Sequence, residues 1–383
     1  RKKVSILGST GSIGINTLKI FKNKKLFKIN VLIADKNYNA ICKQIKMFQP
    51  TIFVINNPQI LRKVKNKFKK NKVKIISPNN KKKNIKINSD ITVAAISGIA
   101  GLYPTIEMIK KSKKVLIANK EAIICGWNII KIIAKKNNTQ LVPIDSELFS
   151  IMKILENQKK ENIKKIYLTA SGGPFLNIKQ SKLKKIKPKD AIKHPKWKMG
   201  KKISVDSSTM MNKVFEIIEA KSIFNLPNSK LKILIHPKSY LHAIITYKNG
   251  LSNMIVHDTD MKIPIFNTLY ENKEYDNLKK IDLLKLNKLN LEEPNIKKFP
   301  LIKILNQLPK NFSLYNTILV STNDTLVDLF LKNKIKFISI PKIFKSVIHY
   351  KIFKKYRYKV PKKIDQIIKL NKLVQLKINS IYK

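Results

Sequence analysis

Apolar residues in the first part of the chain come in short unbroken runs. VSIL at Val4–Leu7, INVLIA ending at Ala34, TIFVI, KVKIIS, ITVAAIS and KVLIANK are rich in Ile and Val and carry no strict alternation. Lys-rich stretches lie between them, with apolar residues at helical spacing such as Leu18, Ile20 and Phe21. Continuous apolar strands alternating with amphipathic helices predict a parallel α/β sheet covered on both faces. After QLVPIDSELFSIM the pattern changes. KKIYLTASGGPF is a strand running into a glycine loop, and KILIHPKSYLHAIITYKNGLSNMIVH reads as strands joined by a hairpin turn at Lys248-Asn249-Gly250. An α+β domain with an antiparallel, half-open sheet is expected there, and such a sheet is a candidate dimer face. From Pro300 onward LIKIL, TLVDLFL, IFKSVI and IDQIIKL return to helical spacing. The expected boundaries are 1–144 for the first domain, 145–270 for the second, 271–296 for a connector and 297–383 for a helical C-terminal domain.

The turn after the first strand sharpens this. GSTGSIG at Gly8–Gly14 holds three of the ten glycines in the chain. A strand, a glycine turn and a helix in that order is the setting of a phosphate-cradling loop, and it makes the first domain Rossmann-like. Backbone N–H groups around Gly11 and Ile13, with the hydroxyls of Thr10 and Ser12, are the donors such a loop offers. The second strand ends at Asp35-Lys36-Asn37, where a dinucleotide fold reads the adenosine ribose. Asp35 favours a free ribose hydroxyl, whereas Lys36 and Asn37 suit a 2′-phosphate, so the residues point both ways. Asn119, Lys120 and Glu121 follow a further strand directly, at the carboxyl edge where ligands bind in parallel sheets.

The densest chemistry lies between His194 and Glu219. An imidazole, an indole, hydroxyls, an amide, an ammonium and carboxylates crowd a chain that is otherwise mostly Lys, Ile and Asn. Ser207, Ser208 and Thr209 are expected to cap a helix whose first turn, with Asn212 and Lys213, forms an anion site. Glu216 falls one turn past Asn212, on the same side. Upstream, Asp145 and Glu147 stand two apart in an apolar setting. Two such carboxylates call for a shared cation; a helix N-cap with an acidic first turn explains them equally well. Trp197 stands among Lys196, Lys198, Lys201 and Lys202, which predicts a surface loop.

Composition excludes more than it selects. The net charge is +56, from 79 Lys and Arg against 23 Asp and Glu. Only Arg1, Arg62 and Arg357 are arginine, and the lysines are spread along the chain, so no specific nucleic-acid partner is expected. Cys42 and Cys125 make no disulfide framework and fit a reducing cytoplasm. No apolar run is long enough to span a membrane, and none is expected to bind one. The lack of a candidate catalytic cysteine argues against an aldehyde or semialdehyde dehydrogenase, because Cys125 falls in a helical run.

In order along the chain, GSTGSIG, SGIAGL, IANKE, IDSE, SGGPF, HPKWKMG, ISVDSSTMMNK and LIHPKS together resemble the 1-deoxy-D-xylulose 5-phosphate reductoisomerase family. The resemblance runs nearly end to end and is weakest past residue 258. It implies an enzyme that rearranges and reduces 1-deoxy-D-xylulose 5-phosphate to 2-C-methyl-D-erythritol 4-phosphate for isoprenoid precursors, using NADPH and one divalent cation. That cation would be Mg2+ or Mn2+, with Co2+ a further candidate; the homodimer and the cytoplasm are expected from the half-open sheet and the two cysteines. It further implies metal ligands at Asp145, Glu147 and Glu216, and substrate contacts at Lys120, Ser146, Glu147, Ser171, His194, Trp197, Ser207, Asn212, Lys213 and Glu216. NADPH contacts would fall on Thr10, Gly11, Ser12, Ile13, Lys36, Asn37, Asn119, Glu121 and Gly200. Trp197 and Met199 would belong to a mobile loop. The chain departs from the family at Asp35, commonly a glycine, and at Leu148-Phe149, commonly His-Asn.

Overall fold

The computed structural model describes residues 1–21, 26–78, 88–156, 158–194, 196–197, 199–270 and 281–382. Its contacts divide it into two units. The first comprises Arg1–Asn119, Ile130–Asp145 and Pro264–Glu274. Its chain runs β1 (Lys2–Leu7), α1 (Ser12–Ile20), β2 (Phe27–Ala34), α2 (Tyr38–Phe48), β3 (Ile52–Ile55), α3 (Pro58–Lys67) and β4 (Lys74–Ile76). It continues through β5 (Ser89–Ala94), α4 (Leu102–Ile109), β6 (Ser112–Ile117), the second half of α5 (Lys120–Lys136) and β7 (Gln140–Pro143). Among the described residues these strands form one sheet in the order β4-β3-β2-β1-β5-β6-β7, with every pairing parallel. Each strand named from its apolar run is present. Val4, Ile6, Leu7, Leu32, Phe53, Val93 and Leu116 are buried, as strands covered on both faces require.

Strand order reverses between β1 and β5, and in such sheets the ligand crevice opens at that switch point. Gly8 follows β1 there with φ +83, and a Cβ on it would stand 2.6 Å from the Ala95 carbonyl oxygen after β5. Only glycine lets the two strand ends approach so closely.

The second unit comprises Lys120–Ile129, Ser146–Ile263 and Tyr275–Lys383. Beyond the first half of α5 it holds α6 (Ser146–Leu155), β8 (Ile163–Ala170), α7 (Pro188–Ala191), α8 (Lys201–Ser208), α9 (Met211–Phe224), β9 (Leu231–Ile235), β10 (Leu241–Tyr247) and β11 (Ser252–Val256). The sheet order is β11-β10-β8-β9. The sheet expected to be antiparallel has one parallel pairing, β8 with β9, because α7 to α9 form the crossover between them. The other pairings are antiparallel, and the β10–β11 hairpin turns where Lys248-Asn249-Gly250 predicts. Leu148, Ile151, Ile166, Leu168, Ile217, Phe224, Ile233 and Ile245 form the core of this unit, between the sheet and helices α6 and α9.

Helix α10 (Lys262–Leu269) groups with the first unit from Pro264 onward, whereas the expected second domain ran to residue 270. The Tyr270 ring meets Phe27 edge-on at 5.1 Å, and Lys114 Nζ donates to the Thr268 carbonyl. The expected connector falls outside the described residues over 271–280. Helices α11 (Tyr315–Leu331), α12 (Ser339–Ile348) and α13 (Ile364–Asn379) complete the second unit, with α12 and α13 packed on α11. Helix α11 is buried on nearly every face, which explains its lack of an amphipathic stripe.

A second correction concerns the stretch around Ser207. Ser207 and Ser208 close α8 instead of capping the next helix. The chain then turns through Met210, at φ +65, and α9 begins at Met211. The hydroxyls of Ser208 and Thr209 donate back to the carbonyls of Val205 and Asp206, the local alternative that Ser and Thr offer at a helix end.

Candidate active site

In the first unit, the glycine loop is held from behind by α2. Ser9 Oγ donates to Gln44 Oε1 and Gln44 Nε2 donates to the Ser9 carbonyl, at 2.7 and 2.8 Å, with both residues buried. Gly11 and Ser12 are exposed, Thr10 and Ile13 half-buried, at the first turn of α1. The N–H groups of a first helical turn have no partner within their own helix, so this turn can offer donors to an anion. Gly14 is fixed by packing, since a Cβ there would stand 2.4 Å from the Gly8 carbonyl oxygen. Asp35, Lys36 and Asn37 are exposed past the end of β2. Asn56 Nδ2 donates to Asp35 Oδ1, and Asn37 Oδ1 caps α2 by accepting from the Ala40 N–H. Asn119 is buried, and its Nδ2 donates to the carbonyls of Ile96 and Gly98 in the loop after β5.

The carboxylates of Asp145, Glu147 and Glu216 each bring an oxygen within 4.8 Å of the others. Asp145 directly precedes α6, Glu147 lies in its first turn, and Glu216 lies in α9. Asp145 and Glu147 therefore stand at an acidic helix start, and the fold adds Glu216 from α9 to the same place. Glu216 is buried. Asn212 Nδ2 and Lys120 Nζ donate to its Oε1 at 2.5 and 3.2 Å, and Lys213 Nζ stands 2.5 Å from its Oε2. Lys213 also pairs with Glu147 at 2.6 Å, and Lys120 donates to Asn212 Oδ1. Burial works against the Lys213 ammonium, but Glu147 and Glu216 outweigh it and lift its pKa above the ordinary lysine value. Three hard oxygen donors this close suit a Mg2+- or Mn2+-type ion, so the residues fit a divalent metal. Ser146 Oγ donates to Glu147 Oε2 and holds that carboxylate in place.

A second cluster adjoins this one. Ser171 follows β8, and the loop turns through Gly172 and Gly173, both at positive φ. A Cβ on Gly173 would stand 2.7 Å from the Ser207 carbonyl oxygen, so the glycine is what lets the Ser171 loop pack on the end of α8. His194 Nδ1 accepts from the backbone N–H groups of Trp197 and Lys196, at 2.9 and 3.2 Å. That bonding leaves the proton on Nε2, which donates to Ser171 Oγ at 3.0 Å. Ser171 Oγ also accepts from the Gly173 N–H, so its own hydroxyl proton remains available to an incoming acceptor. Burial, and then the charge of Lys213, lowers the His194 pKa to about 4, in keeping with a neutral ring.

Trp197 is half-buried, its ring edge-on to His242 at 6.2 Å, and His242 stacks on His257 at 3.7 Å. Pro195 and Lys198 lie outside the described residues. Gly200 is the exposed N-cap of α8, and a Cβ there would meet nothing within 4 Å. Glu121, grouped by resemblance with the NADPH contacts, is buried in the second unit and paired with Lys202. Lys202 is not a surface-loop lysine, as expected, but reaches inward from α8 to Glu121, Asp206 and Asp324. Sequence reasoning missed this ion cluster and the Gln44 clamp. The available signal was Asp206 standing four residues past Lys202, at helical spacing, in an acid-poor chain. Burial pushes the Cys125 thiol well up, which removes it as a nucleophile.

A glycine-loop dinucleotide fold, on one chain with a carboxylate trio that suits a divalent cation, defines a metal-assisted, nucleotide-dependent oxidoreductase. Family models agree. The 1-deoxy-D-xylulose 5-phosphate reductoisomerase model matches residues 4–126, that enzyme's C-terminal domain model matches 141–224, and a DXP reductoisomerase C-terminal domain model matches 257–376. The 1-deoxy-D-xylulose 5-phosphate reductoisomerase of Pelagibacter ubique is 51% identical over 99% of both chains. That of Wolbachia pipientis wMel is 40% identical over 91% of this chain and 90% of its own. The Zymomonas mobilis enzyme in complex with NADPH superposes with a TM-score of 0.89 at 28% identity, covering 100% of this chain and 99% of the other. A reductoisomerase crystal structure with NADPH, fosmidomycin and magnesium gives 0.91 at 29% identity, covering 99% and 98%. The chain belongs to the 1-deoxy-D-xylulose 5-phosphate reductoisomerase family.

Proposed function

We propose that the chain converts 1-deoxy-D-xylulose 5-phosphate into 2-C-methyl-D-erythritol 4-phosphate, with NADPH as reductant and a divalent cation, in isoprenoid precursor synthesis. The observation that carries this is the set of Asp145, Glu147 and Glu216 oxygens within 4.8 Å of one another, in a chain of this family. In this reading Asp145, Glu147 and Glu216 hold the cation, which when bound polarises the substrate carbonyl and stabilises charge on the neighbouring oxygens. Ser171, Ser207, Asn212 and Lys213 take the phosphate. Neutral His194 fixes Ser171 as a donor towards it, and Lys213 supplies the charge without any arginine. Lys120, bonded to Asn212 and Glu216, keeps that carboxylate and amide in register. Ser146 orients Glu147. Trp197 covers the substrate and excludes water while the carbon skeleton is broken and rejoined.

The loop at Thr10, Gly11, Ser12 and Ile13 takes the NADPH pyrophosphate, and Lys36 and Asn37 the 2′-phosphate. Asn119 shapes the adjoining loop through the Ile96 and Gly98 carbonyls. Glu121 and Gly200 are less well supported as NADPH contacts, the first because its carboxylate is turned into an ion cluster. When bound, NADPH supplies the hydride that reduces the rearranged aldehyde. A homodimer is supported by the open edge strand β11, where Ser252, Asn253 and Met254 are exposed. A reducing cytoplasm is supported by two free, buried cysteines. Among the described residues no helix is long and apolar enough to cross a membrane.

The test is NADPH oxidation by the purified chain with 1-deoxy-D-xylulose 5-phosphate, with and without Mg2+ or Mn2+, and mass spectrometry of the product. Metal-dependent oxidation with formation of the methylerythritol phosphate is expected. Oxidation indifferent to chelation would refute the carboxylate assignment. Sedimentation of the same sample should give a dimer.

A further inference from the structure

Lys202 is charged, largely buried and absent from the chemistry above. Its side chain is 24% exposed, yet it contacts three carboxylates: Glu121 at the start of α5, Asp206 one turn along α8 at 3.2 Å, and Asp324 in α11 at 2.9 Å. Asn323 Nδ2 donates to Asp206 Oδ1 at 2.7 Å, and the Lys202 ammonium lies 5.6 Å from the centre of the buried Phe215 ring. A cluster of this kind is expensive to build. Several kcal/mol of desolvation per ion must be offset by mutual attraction, and one lysine faces three acids. Burial raises Asp324 to about 7 and raises Asp206 as well, even with Lys202 alongside. A hydrophobic set of the same volume would join three helices at lower cost.

What the cluster touches explains its placement. Glu121 directly follows Lys120, which donates to Glu216 and Asn212. Asp206 directly precedes Ser207, whose carbonyl underlies the Ser171 loop. Phe215 directly precedes Glu216. One ammonium is therefore one residue away from three elements of the substrate site, all within one unit.

We infer that Lys202 is a positioning residue: by tying the starts of α5 and α8 to α11, it holds Lys120, Ser207 and Glu216 in the register that the phosphate and the carbonyl end of the substrate need. The inference rests on the function proposed above. Displacements on the order of 1 Å at such positions cost roughly a hundredfold in rate.

The full chain with NADPH and Mg2+ is compared as wild type, Lys202→Met, Lys202→Arg and Asp324→Asn. The readouts are kcat and KM for 1-deoxy-D-xylulose 5-phosphate, the Kd of a phosphonate joined through a propyl chain to a hydroxamate, the Kd of NADPH, and the thermal midpoint. Lys202→Met should raise KM and the phosphonate Kd by at least about tenfold, with NADPH Kd within about twofold. Lys202→Arg, which keeps the charge, should recover most of the loss. A role in stability alone would lower the thermal midpoint and the active fraction without moving KM or either Kd. Should Lys202→Met not fold, Asp324→Asn keeps the shape, removes one anchor and should still raise KM about threefold. Folded Lys202→Met and Asp324→Asn with wild-type KM and phosphonate Kd would overturn the inference, as would unchanged values for Asp324→Asn alone when Lys202→Met does not fold. Wild-type protein that fails to turn over the sugar phosphate would overturn the proposed function instead.

Discussion

Glu216 has the most committed side chain in the site, accepting from Asn212 and Lys120 on one oxygen and meeting Lys213 at the other. Replacing it with glutamine keeps the shape but swaps an anionic acceptor for an amide that cannot receive two ammonium groups. Glu216→Gln should reduce kcat/KM by at least about a hundredfold, combining a lost metal ligand with charge-assisted bonds of roughly 1.5 to 3 kcal/mol each. NADPH affinity should stay within about threefold, because the glycine loop belongs to the other unit. Fluorescence titration of NADPH beside steady-state kinetics checks both, and a parallel loss of NADPH binding would remove Glu216 from its assigned role. His194 gives a pH prediction. Its pKa is lowered from 6.5 to about 4, so the folded protein favours the neutral ring more than the unfolded chain does. That preference stabilises the fold above pH 6.5 and is lost as pH falls through the folded value near 4. Urea unfolding of wild type and His194→Gln across that window should show the wild-type advantage shrinking as acid is added. A constant difference between the two would mean that the ring titrates normally.

At the scale of elements, the parallel sheet was legible because its strands are short apolar runs and its helices Lys-rich amphipathic stretches, two patterns that do not overlap. The glycine turn was equally readable, since Gly8 and Gly14 are forced by close backbone approach. Gly14→Ala tests that reading: its Cβ would fall 2.4 Å from the Gly8 carbonyl oxygen, and neither backbone can yield without reshaping the loop. The change should cost roughly 1–3 kcal/mol of stability in a thermal melt and weaken NADPH binding about tenfold or more; wild-type binding would show that the loop is slack. Asp145 and Glu147 could be paired from spacing, whereas Glu216 joined them only through the family resemblance, because no local pattern brings α9 to the start of α6. Other features were hidden by their chemistry. SSTMM reads as a helix start, yet the chain spends those hydroxyls closing α8, a choice set by the left-handed turn at Met210. The parallel pairing of β8 with β9 depends on the three helices between them, which no local pattern reports. Lys202 looks like its neighbours in a lysine-rich stretch; Asp206 four residues on is a local hint, but Glu121 and Asp324 are brought to it only by the fold.

For the whole molecule, the charge balance is more lopsided at the surface than the formal +56 suggests. Glu121, Asp206, Glu216 and Glu219 are buried, so a share of the scarce acids is withdrawn from the surface, while most lysines remain exposed. Such a surface attracts any polyanion through counterion release, without the planar arginine forks that read bases. The chain should therefore adsorb random DNA duplexes at about 50 mM salt and release them by about 0.5 M, with affinities for AT-rich and GC-rich duplexes of equal length within about threefold. Fluorescence anisotropy across a salt series measures both. The slope of log K against log salt should be steep, reflecting many diffuse lysine contacts, and a saturating metal and NADPH load should leave it nearly unchanged, because neither ligand covers more than a small part of the surface. Binding that persists at 0.5 M salt, or that separates two sequences by about a hundredfold, would mean a built nucleic-acid site on this chain. In that case the lysine excess would be functional, not a diffuse property of its surface.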